Sequence, residues 1–410
     1  MLSFTVSIKT IVDKVRLRKE SLMIEKTKDS IVKYLKYYYF SANRFYCIDR
    51  KTKRLVKRAY KLSMKKEKEA EYSQEDYPVD FVVTWVDEKD SAWQKEKTKY
   101  QNIQSNTKKD VTTSMYRNWD NLQYWFRAVE KNAPWVRYIF FVTYGHIPSW
   151  LNTNNPKIRI IKHADYIPKE YLPTFNSRVI EINFWQIKEL SENFVYFNDD
   201  MYLTNKVDKS FFFFRALPRL CAVTKPNKPK LEMVSWDFAR YNNCRACNSR
   251  FNIRKVMEQH PEKWFSNKYG RNIKYNLRTY EDGYLSGMVY PHVAYAFRKS
   301  AMEDCYYCFQ NLFESTCSHR FRTNDDLNIQ IFEMWEMMHN SFEPSGGRGA
   351  LINVDETELI NLKDKLNDKS VNCVCINDSM RINANNFDMN NSFVNKLLQD
   401  KFPEKSSFES

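Results

Sequence analysis

The eight residues from 193 to 200, NFVYFNDD, form an apolar run that ends in one amide and two carboxylates. A short run that is rich in aromatic and β-branched residues predicts a buried β-strand. Two further runs have the same form: residues 80–87 read DFVVTWVD, and residues 138–143 read YIFFVT and lead into Tyr-Gly-His146. Each predicted strand therefore delivers polar side chains at its carboxyl end.

Helical patterns lie between the predicted strands. Residues 118–131 and 179–190 each carry apolar side chains at i, i+4 and i+7, the spacing of one helical face. Strands that alternate with helices predict the α/β class, with a mostly parallel, Rossmann-like sheet. Because ligands bind beyond the carboxyl ends of the strands in such sheets, we expect the polar clusters to meet at one edge. A later apolar stripe predicts another helix, which opens at 322–326 with Asn324 or Asp325 as its cap.

The composition is that of a folded protein with a large core. Hydrophobic residues make up 43% of the chain and aromatic residues 16%, which excludes a disordered or fibrous protein. The 7 glycines form neither a GxGxxG nor a Walker pattern, so a glycine-rich phosphate loop is excluded. Apolar runs fall short of the ~20 residues of a membrane-spanning helix. The N-terminal residues carry charges where a signal peptide needs an apolar stretch, so we expect a cytoplasmic protein.

The positive charge is concentrated in an N-terminal arm. The net charge is +15, and residues 1–70 hold 20 Lys and Arg against 7 Asp and Glu. We interpret residues 1–76 as a basic, aromatic helical arm with a short linker, and residues 77–410 as the main domain. The arm fits peripheral contact with the anionic inner face of the plasma membrane, a solvated helix, or nucleic acid. Because the main domain is almost neutral, nucleic acid is not an expected partner.

The nine cysteines are an odd number in a chain without a predicted signal peptide, which argues against a disulfide framework. Two CxxC pairs, Cys244 with Cys247 and Cys305 with Cys308, could supply the four ligands of a structural zinc ion. The long interval between the pairs favours buried free thiols instead.

The strand-end cluster of Asn198, Asp199 and Asp200 is the first candidate functional site. Oxygen ligands of this kind hold Mg²⁺ or Mn²⁺, which proteins often share with substrate phosphates. Asp87, at the end of the first predicted strand, is a candidate contact for a nucleotide. Asn and Asp are also common in turns, so a purely structural turn is the alternative.

Basic and imidazole side chains supply further candidates. His292 follows a proline in a predicted loop and could act as a general base, and Arg298 comes shortly after it. Arg322 precedes a second acidic cluster at 324–326 and could clamp a phosphate, while Arg117 could reach an anion. Each of these could equally be an ordinary surface or ion-paired residue.

Long stretches of the sequence resemble the Stealth family of sugar-phosphate transferases. This family comprises bacterial capsular polysaccharide phosphotransferases and an animal relative that transfers N-acetylglucosamine-1-phosphate. The similarity covers about residues 77–410, which leaves the basic arm outside. It is carried in family order by blocks at about 80–93, 116–203, 236–270 and 321–335, among them DFVVTWVDEKDSAW, EYLPTFNSRVIEINF, LSENFVYFNDDMYL and FRTNDDLNIQIFEMW.

The resemblance implies a reaction. A sugar-1-phosphate would pass from a nucleotide-diphosphate sugar to a hydroxyl of a glycan or lipid-linked glycan acceptor, with release of a nucleoside monophosphate, in capsular or other surface polysaccharide synthesis. Positioning and charge neutralisation supply most of the catalysis in chemistry of this type. The resemblance also implies a glycosyltransferase-A-like fold and a magnesium or manganese ion.

The resemblance also implies roles for individual residues. Asp200 and His292 would be catalytic, one taking the proton of the acceptor hydroxyl and the other steadying the site. Arg322 would neutralise charge on the transferred phosphate, and Asp87 would lie at the nucleotide. The remaining predicted site residues are Arg117, Asn176, Asn198 and Arg298 for substrate binding, and Asp199, Asp325 and Asp326 for the metal.

Two positions depart from the family pattern. Trp185-Gln186 replaces a common His-Arg pair, and His146 replaces a common Gln. Either change could alter the preference for sugar or acceptor.

Two other functions are alternatives: an ordinary nucleotide-sugar glycosyltransferase, which releases a nucleoside diphosphate, and a nucleic-acid-binding protein that uses the arm.

Overall fold

A computed structural model describes residues 52, 54–59, 61–62, 76–103, 116–228, 230–347, 349–354, 359–378 and 384–410. The chain divides into two units, Met1–Arg58 and Ala59–Ser410. Nearly all of the predicted basic arm lies outside the described residues, so its membrane contact and its boundary at residue 76 stay predictions. The second unit carries the candidate site.

A five-stranded sheet forms the centre of the second unit. Its strands are β1 (Val79–Trp85), β2 (Ile139–Thr143), β3 (Ile158–Lys162), β4 (Asn193–Asn198) and β8 (Tyr295–Arg298). Their order is β3-β2-β1-β4-β8, and all neighbours are parallel except β4 and β8. β1, β2 and β4 are buried along nearly their whole length, as expected for parallel strands covered on both faces. The predicted α/β class, with a mostly parallel sheet, is confirmed.

The strand order creates a crevice beside β1. From β1 the chain steps outward to β2 and then to β3, and it returns to the opposite side of β1 with β4. In open α/β sheets the crevice at such a reversal is where ligands bind. The register pairs Thr84 of β1 with Asn198 of β4 and Trp85 with Thr143 of β2. The polar clusters that follow these strands therefore meet at one edge, as the sequence predicted.

Two three-stranded sheets flank the central one. Their strands are β5 (Met201–Leu203), β6 (Phe213–Phe214), β7 (Leu217–Leu220), β9 (Glu343–Pro344), β10 (Gly349–Asn353) and β11 (Cys373–Asn377). The first sheet has the order β10-β11-β5, and the second has the order β6-β7-β9. β5 and β11 are antiparallel, with Met201 opposite Cys375. This pairing brings a C-terminal strand against the turn at Asp200, whose carbonyl accepts a 2.9 Å hydrogen bond from the Ile376 N–H.

Helices connect the strands. The α-helices in the described ranges from residue 76 onward are α1 (Ser91–Ile103), α2 (Leu122–Asn132), α3 (Ser177–Ile182), α4 (Ser235–Arg250), α5 (Ile253–Gln259), α6 (Pro261–Trp264), α7 (Ile273–Asp282), α8 (Lys299–Cys308), α9 (Gln310–Ser318), α10 (Gln330–Met338), α11 (Leu359–Asn367) and α12 (Ala384–Lys401). Among the residues that the structure describes, none of the helices combines the length and the apolar character needed to cross a membrane.

Two of the helix predictions need correction. The helix predicted at 179–190 ends at Ile182, and a 3₁₀ turn at Phe184–Gln186 follows it. The helix predicted to open at 322–326 begins only at Gln330. The reason for the second error is that the Asp326 carboxylate accepts hydrogen bonds from the backbone N–H of Thr323, at 3.0 Å, and from its hydroxyl, at 2.8 Å. Such side-chain bonds compete with the helical backbone and hold this segment as a turn.

The opposite edge of the sheet is closed by an ion pair between the buried Asp80 and the partly exposed Arg137. The Asp80 carboxylate at the start of β1 receives two hydrogen bonds from the Arg137 guanidinium, at 2.8 and 2.5 Å. It also accepts a 2.8 Å bond from the Ser191 N–H. These contacts join the N-terminal ends of three strands, so the open edge is the one that carries the polar clusters.

Candidate active site

Asp199 and Asp200 form the turn between β4 and β5. Burial raises the pKa of Asp199 to about 6, and the charge of Glu88 beyond β1 adds to the rise. Burial also raises the pKa of Asp200 to about 7, and the charges of Asp199 and Asp378 add to it. A neighbouring cation would lower both values, because it favours the charged form.

One oxygen of Asp200 stands out. Oδ2 accepts a hydrogen bond from Cys375 Sγ at 3.3 Å. Oδ1 is buried and has no hydrogen-bond partner among the described residues. A buried carboxylate oxygen without a partner costs free energy unless a proton, a ligand or a cation satisfies it. The turn therefore offers an unused acceptor at the crevice.

His292 lies in the loop before β8. Burial lowers the pKa of its imidazole to about 4, and the positive charge of Arg322 contributes to the fall. Its Nδ1 shares a 3.0 Å hydrogen bond with the Tyr295 hydroxyl. His292 is therefore neutral at physiological pH, so one of its two ring nitrogens is a hydrogen-bond acceptor.

Asp200 and His292 lie next to each other. One donor atom from each of Asp200, His292 and Cys375 lies within 4.8 Å of the other two. The fold thus brings together the two side chains that were predicted to be catalytic. Cys375 was missed, because nothing in its local sequence distinguishes it from an ordinary cysteine in an apolar strand.

Arg322 reaches the same region from the turn before α10. Its Nη2 donates a 2.6 Å hydrogen bond to the Ser177 hydroxyl at the start of α3. Its charge lowers the pKa of His292 and opposes the rise that burial gives to the pKa of Glu181. Glu181 is buried on α3 and accepts a 3.3 Å bond from the Tyr196 hydroxyl. Sequence reasoning missed Glu181, which reads as one polar residue within a helix.

The sequence predicted Asp326 as a metal ligand, but its carboxylate is buried and is bound by other side chains of the protein. Its Oδ2 accepts hydrogen bonds from Arg178 Nη1 at 2.9 Å and Asn176 Nδ2 at 3.0 Å, and its Oδ1 accepts one from His319 Nδ1 at 2.8 Å. Although burial alone raises the pKa of Asp326, the His319 hydrogen bond and the Arg178 charge hold it below its usual range. Asp326 is thus the anchor of a buried ion pair. Its neighbour Asp325 is exposed.

Two predicted substrate-binding residues, Asn176 and Arg298, make hydrogen bonds to other residues of the protein. Asn176 is buried, caps α3 by accepting from the Arg178 N–H at 3.2 Å, and uses its amide nitrogen on Asp326. The Arg298 guanidinium makes two hydrogen bonds to the Glu336 carboxylate, at 2.9 and 2.6 Å. Both side chains therefore hold segments in place rather than face an open crevice.

The other predicted residues lie at the open edge. Asp87 follows β1 and its Oδ1 accepts a 3.0 Å hydrogen bond from the Lys89 N–H. Asn198 is the half-buried last residue of β4. The Arg117 guanidinium lies 3.5 Å from Oδ2 of Asp378, a residue that sequence reasoning missed. Since the Asp378 charge raises the pKa of Asp200, Arg117 and Asp378 belong to the surroundings of the strand-end turn.

The two CxxC pairs lie on α4 and α8. Burial raises the pKa of the Cys305 thiol, and the neighbouring Cys247 and Cys308 add to the rise, so the two helices bring the pairs near each other. The described part of the chain nevertheless contains a single group of potential metal ligands, at Asp200, and none of the four cysteines belongs to it. The structure gives the zinc alternative no support.

The structure also shows where Trp185 and His146, the two departures from the family pattern, lie. The Trp185 ring packs against Tyr306 and Tyr307 of α8, with ring centroids 5.3 and 5.7 Å apart. The His146 ring lies 6.3 Å from Trp85 at the carboxyl end of β1. His146 is therefore at the open edge, and Trp185 packs on a helix.

Comparison with known proteins identifies the class to which this fold and site belong. Residues 115–219 match "Stealth protein CR2, conserved region 2", and residues 291–331 match "Stealth protein CR3, conserved region 3". The chain belongs to the Stealth family, which confirms the resemblance. Asp199 and Asp200 fall within the first region, and His292 and Arg322 within the second.

Individual relatives are similar over nearly their whole length. A capsular polysaccharide phosphotransferase WcwK of Streptococcus pneumoniae is 40% identical over 333 residues, which are 81% of this chain and 98% of that protein. The exopolysaccharide phosphotransferase cps2G of Lactiplantibacillus plantarum is 33% identical over 81% of this chain and 96% of its own length. The receptor polysaccharide phosphotransferase WefC of Streptococcus oralis is 32% identical over 81% of this chain and 99% of its own length.

Proposed function

We propose that this protein is a phosphotransferase of surface polysaccharide synthesis. It transfers a sugar-1-phosphate from a nucleotide-diphosphate sugar to a hydroxyl of a glycan acceptor and releases a nucleoside monophosphate. The observation that carries the proposal is the meeting of Asp200 and His292 at the crevice beside β1, with donor atoms within 4.8 Å. The names of the relatives, which are capsular and exopolysaccharide phosphotransferases, support the same reaction.

The bond changes in this reaction are simple. The acceptor oxygen forms a bond to the phosphorus that carries the sugar, and the bond from that phosphorus to the bridging oxygen of the diphosphate breaks. The acceptor hydroxyl loses its proton, and the departing nucleoside monophosphate takes the electron pair of the broken bond. Catalysis therefore needs a proton acceptor at the hydroxyl and positive charge at the phosphate.

Asp200 and His292 supply the proton acceptor. His292 is neutral at physiological pH because burial and Arg322 lower its pKa to about 4. Asp200, with a pKa raised to about 7, is partly protonated there, and one of its oxygens lies within 4.8 Å of a ring nitrogen of His292. The two groups act as a pair, in which one takes the proton and the other orients it.

Arg322 supplies positive charge at the phosphate. Its guanidinium donates a 2.6 Å hydrogen bond to the Ser177 hydroxyl. Its positive charge lowers the pKa of His292. A guanidinium can present parallel donors to phosphate oxygens, which lysine cannot. We therefore place the transferred phosphate between Arg322 and the Asp200–His292 pair.

The site fits a divalent cation, and we propose magnesium or manganese. The unpartnered Oδ1 of Asp200 and the raised pKa values of Asp199 and Asp200 are what a cation would relieve. Asp199 and Asp200 would hold the ion, which neutralises phosphate charge when bound. A ¹³C titration of the Asp carboxyls tests this: added Mg²⁺ should lower the pKa of Asp200, and an unchanged value would contradict the assignment.

The crevice beside β1 suggests where the donor nucleotide lies. Asp87 follows β1 at the carboxyl end of the strand, and the strand order fits a glycosyltransferase-A-like nucleotide domain. We propose that the nucleotide lies along the β1 side and the acceptor on the side of His292. The basic arm at residues 1–70 would hold the enzyme at an anionic membrane, near a lipid-linked acceptor.

A labelled donor tests the proposal. In a nucleotide-diphosphate sugar that carries ³²P at the phosphorus next to the sugar, phosphotransfer moves the label into the glycan, whereas glycosyl transfer leaves it on the nucleotide. We expect labelled glycan with the wild-type protein and at least about 100-fold slower labelling with Asp200→Asn. Label that remains in a nucleoside diphosphate would replace the proposal by ordinary glycosyl transfer.

A further inference from the structure

Cys375 adds a sulfur donor to a site that otherwise offers oxygen and nitrogen. The thiol is buried in β11, and its Sγ lies 3.3 Å from Oδ2 of Asp200. The antiparallel pairing of Met201 with Cys375 fixes this position, because Met201 follows Asp200 directly. The proposed transfer reaction has no step for a thiol.

The three donors have the spacing of a site that can close on a cation. One atom each of Asp200, His292 and Cys375 lies within 4.8 Å of the other two. In a tetrahedral zinc site the ligand atoms are roughly 3.3–3.8 Å apart, given bond lengths of about 2.0–2.3 Å. Small side-chain movements therefore suffice. Three protein ligands leave a fourth position for water or substrate.

Two features suit these side chains to bind a cation: an oxygen without a hydrogen-bond partner and a hydrogen bond that orients the imidazole ring. The Asp200 Oδ1 atom is buried without a hydrogen-bond partner among the described residues, so one oxygen is available at no cost in lost bonds. The Nδ1 atom of His292 shares a hydrogen bond with the Tyr295 hydroxyl, which also accepts from Gln330 Nε2 at 3.4 Å. Histidine ligands are commonly oriented in this way through the ring nitrogen that does not bind the metal.

We propose that Asp200, His292 and Cys375 form a binding site for a thiophilic divalent cation of the Zn²⁺ type, and that its occupation inhibits the enzyme. A set of sulfur, nitrogen and oxygen donors prefers Zn²⁺ to Mg²⁺, which takes oxygen ligands in octahedral geometry. A cation at this position engages the two side chains that accept the proton of the acceptor. The inhibition rests on the proposed function, whereas the binding does not.

Cobalt tests the binding directly. Full-length protein without Mg²⁺ is titrated with Co²⁺, which gives a thiolate-to-cobalt charge-transfer band and strong visible bands when it is bound tetrahedrally through sulfur. We expect these bands in the wild type and in Cys308→Ser, and their loss in Cys375→Ser and in Cys375→Ala. Loss in Cys308→Ser with retention in Cys375→Ser would place the cation at the CxxC pairs and overturn the proposal.

Inhibition is tested with the natural reaction. Each variant is assayed with excess Mg²⁺ and rising Zn²⁺, and is compared with its own activity without Zn²⁺. We expect Cys375→Ser to need at least about tenfold more Zn²⁺ for half-inhibition, because even a group that only orients a ligand contributes that much affinity. A chelator should restore wild-type activity. Equal sensitivity of the variant and the wild type would overturn the proposal.

The two proposals fail in different ways. Active protein without cobalt bands would remove the cation site and leave the transfer reaction standing. Cobalt bands that depend on Cys375 in a protein that transfers no sugar-phosphate would support the cation site and remove the proposed function.

Discussion

Asp200 and His292 come within 4.8 Å of each other although they lie on different strands' ends and far apart in the sequence. β4 delivers Asp200 at its carboxyl end, and β8, which is antiparallel to β4, begins just after His292. The antiparallel pairing is what makes the encounter possible, because the start of β8 lies beside the end of β4. The electrostatic surroundings then separate the two groups, raising the pKa of the acid and lowering that of the ring.

Removal of either group should slow turnover sharply without loss of the fold. General acid–base groups contribute roughly 10²–10⁴-fold, so we expect Asp200→Asn and His292→Ala to lose activity by that factor. The measurement is the rate of nucleotide release, with circular dichroism as a check of folding. Asp282→Asn and His260→Ala, at exposed positions, are matched controls and should stay active. Full activity in both site variants would contradict the assignment.

Asp200→Asn should also stabilise the protein at alkaline pH. The folded state raises the pKa of Asp200 from 3.8 to about 7, so it holds the proton more tightly than the unfolded chain does. Stability from this group is present below about pH 4 and is lost as pH rises to about 7. The variant escapes this loss, which amounts to a few kcal/mol at about 1.4 kcal/mol per pKa unit.

Urea unfolding at two pH values measures this effect. We expect Asp200→Asn to be more stable than the wild type at pH 8 and equally stable at pH 4, in both cases without divalent cations. Asp282→Asn is the matched control: it removes only a surface ion pair with Arg278 at 3.5 Å, so it should change the free energy of unfolding by at most about 1 kcal/mol. A variant that is less stable than the wild type at pH 8 would contradict the raised pKa of Asp200 in the folded state.

Arg322 should act through its charge on the phosphate and on His292. Arg322→Ala should lower activity strongly and raise the pKa of His292, because the guanidinium is one cause of its low value. The rise should be partial, since burial is the larger cause. Proton NMR of the His292 ring measures it. Arg322→Lys should keep the pKa of His292 low yet lose activity, because an ammonium group lacks the parallel donors. A pKa unchanged in the Ala variant would contradict the contact.

Asp326 should prove to be structural. Asp326→Asn leaves the buried Arg178 without its charge partner, so we expect destabilisation of about 3–5 kcal/mol. Urea unfolding measures the loss, and isothermal titration with Mg²⁺ separates it from metal binding. Wild-type stability together with weakened Mg²⁺ binding would restore Asp326 as a metal ligand.

The sequence was sufficient for three of the five strands of the central sheet, β1, β2 and β4, and for the edge that carries the site, but it did not predict β3 or the antiparallel β8. Runs such as NFVYFNDD have the length and composition of buried strands, and the alternation with helices makes them parallel. That logic needs only local patterns, so Asp87, Asp199 and Asp200 were placed correctly at strand ends.

The remaining contacts depend on pairings between distant segments. The proximity of Cys375 to Asp200 follows from the pairing of β5 with β11, which no local pattern announces. Asp326 resembled a metal ligand because its partner Arg178 lies on a helix 148 residues away. Arg298 was likewise taken for a substrate contact, since Glu336 sits in a helix that is apolar on most sides. Ion pairs of this kind decide whether a charged residue is free for function.

The identity of the released nucleotide tests the central claim most directly. Purified full-length protein is incubated with Mg²⁺, a glycan acceptor and a panel of nucleotide-diphosphate sugars, and the released nucleotide is identified by mass spectrometry. The proposed reaction predicts a nucleoside monophosphate that depends on both donor and acceptor and is released at least about 100-fold more slowly by Asp200→Asn. Release of a nucleoside diphosphate would contradict phosphotransfer and would remove the role assigned to Arg322.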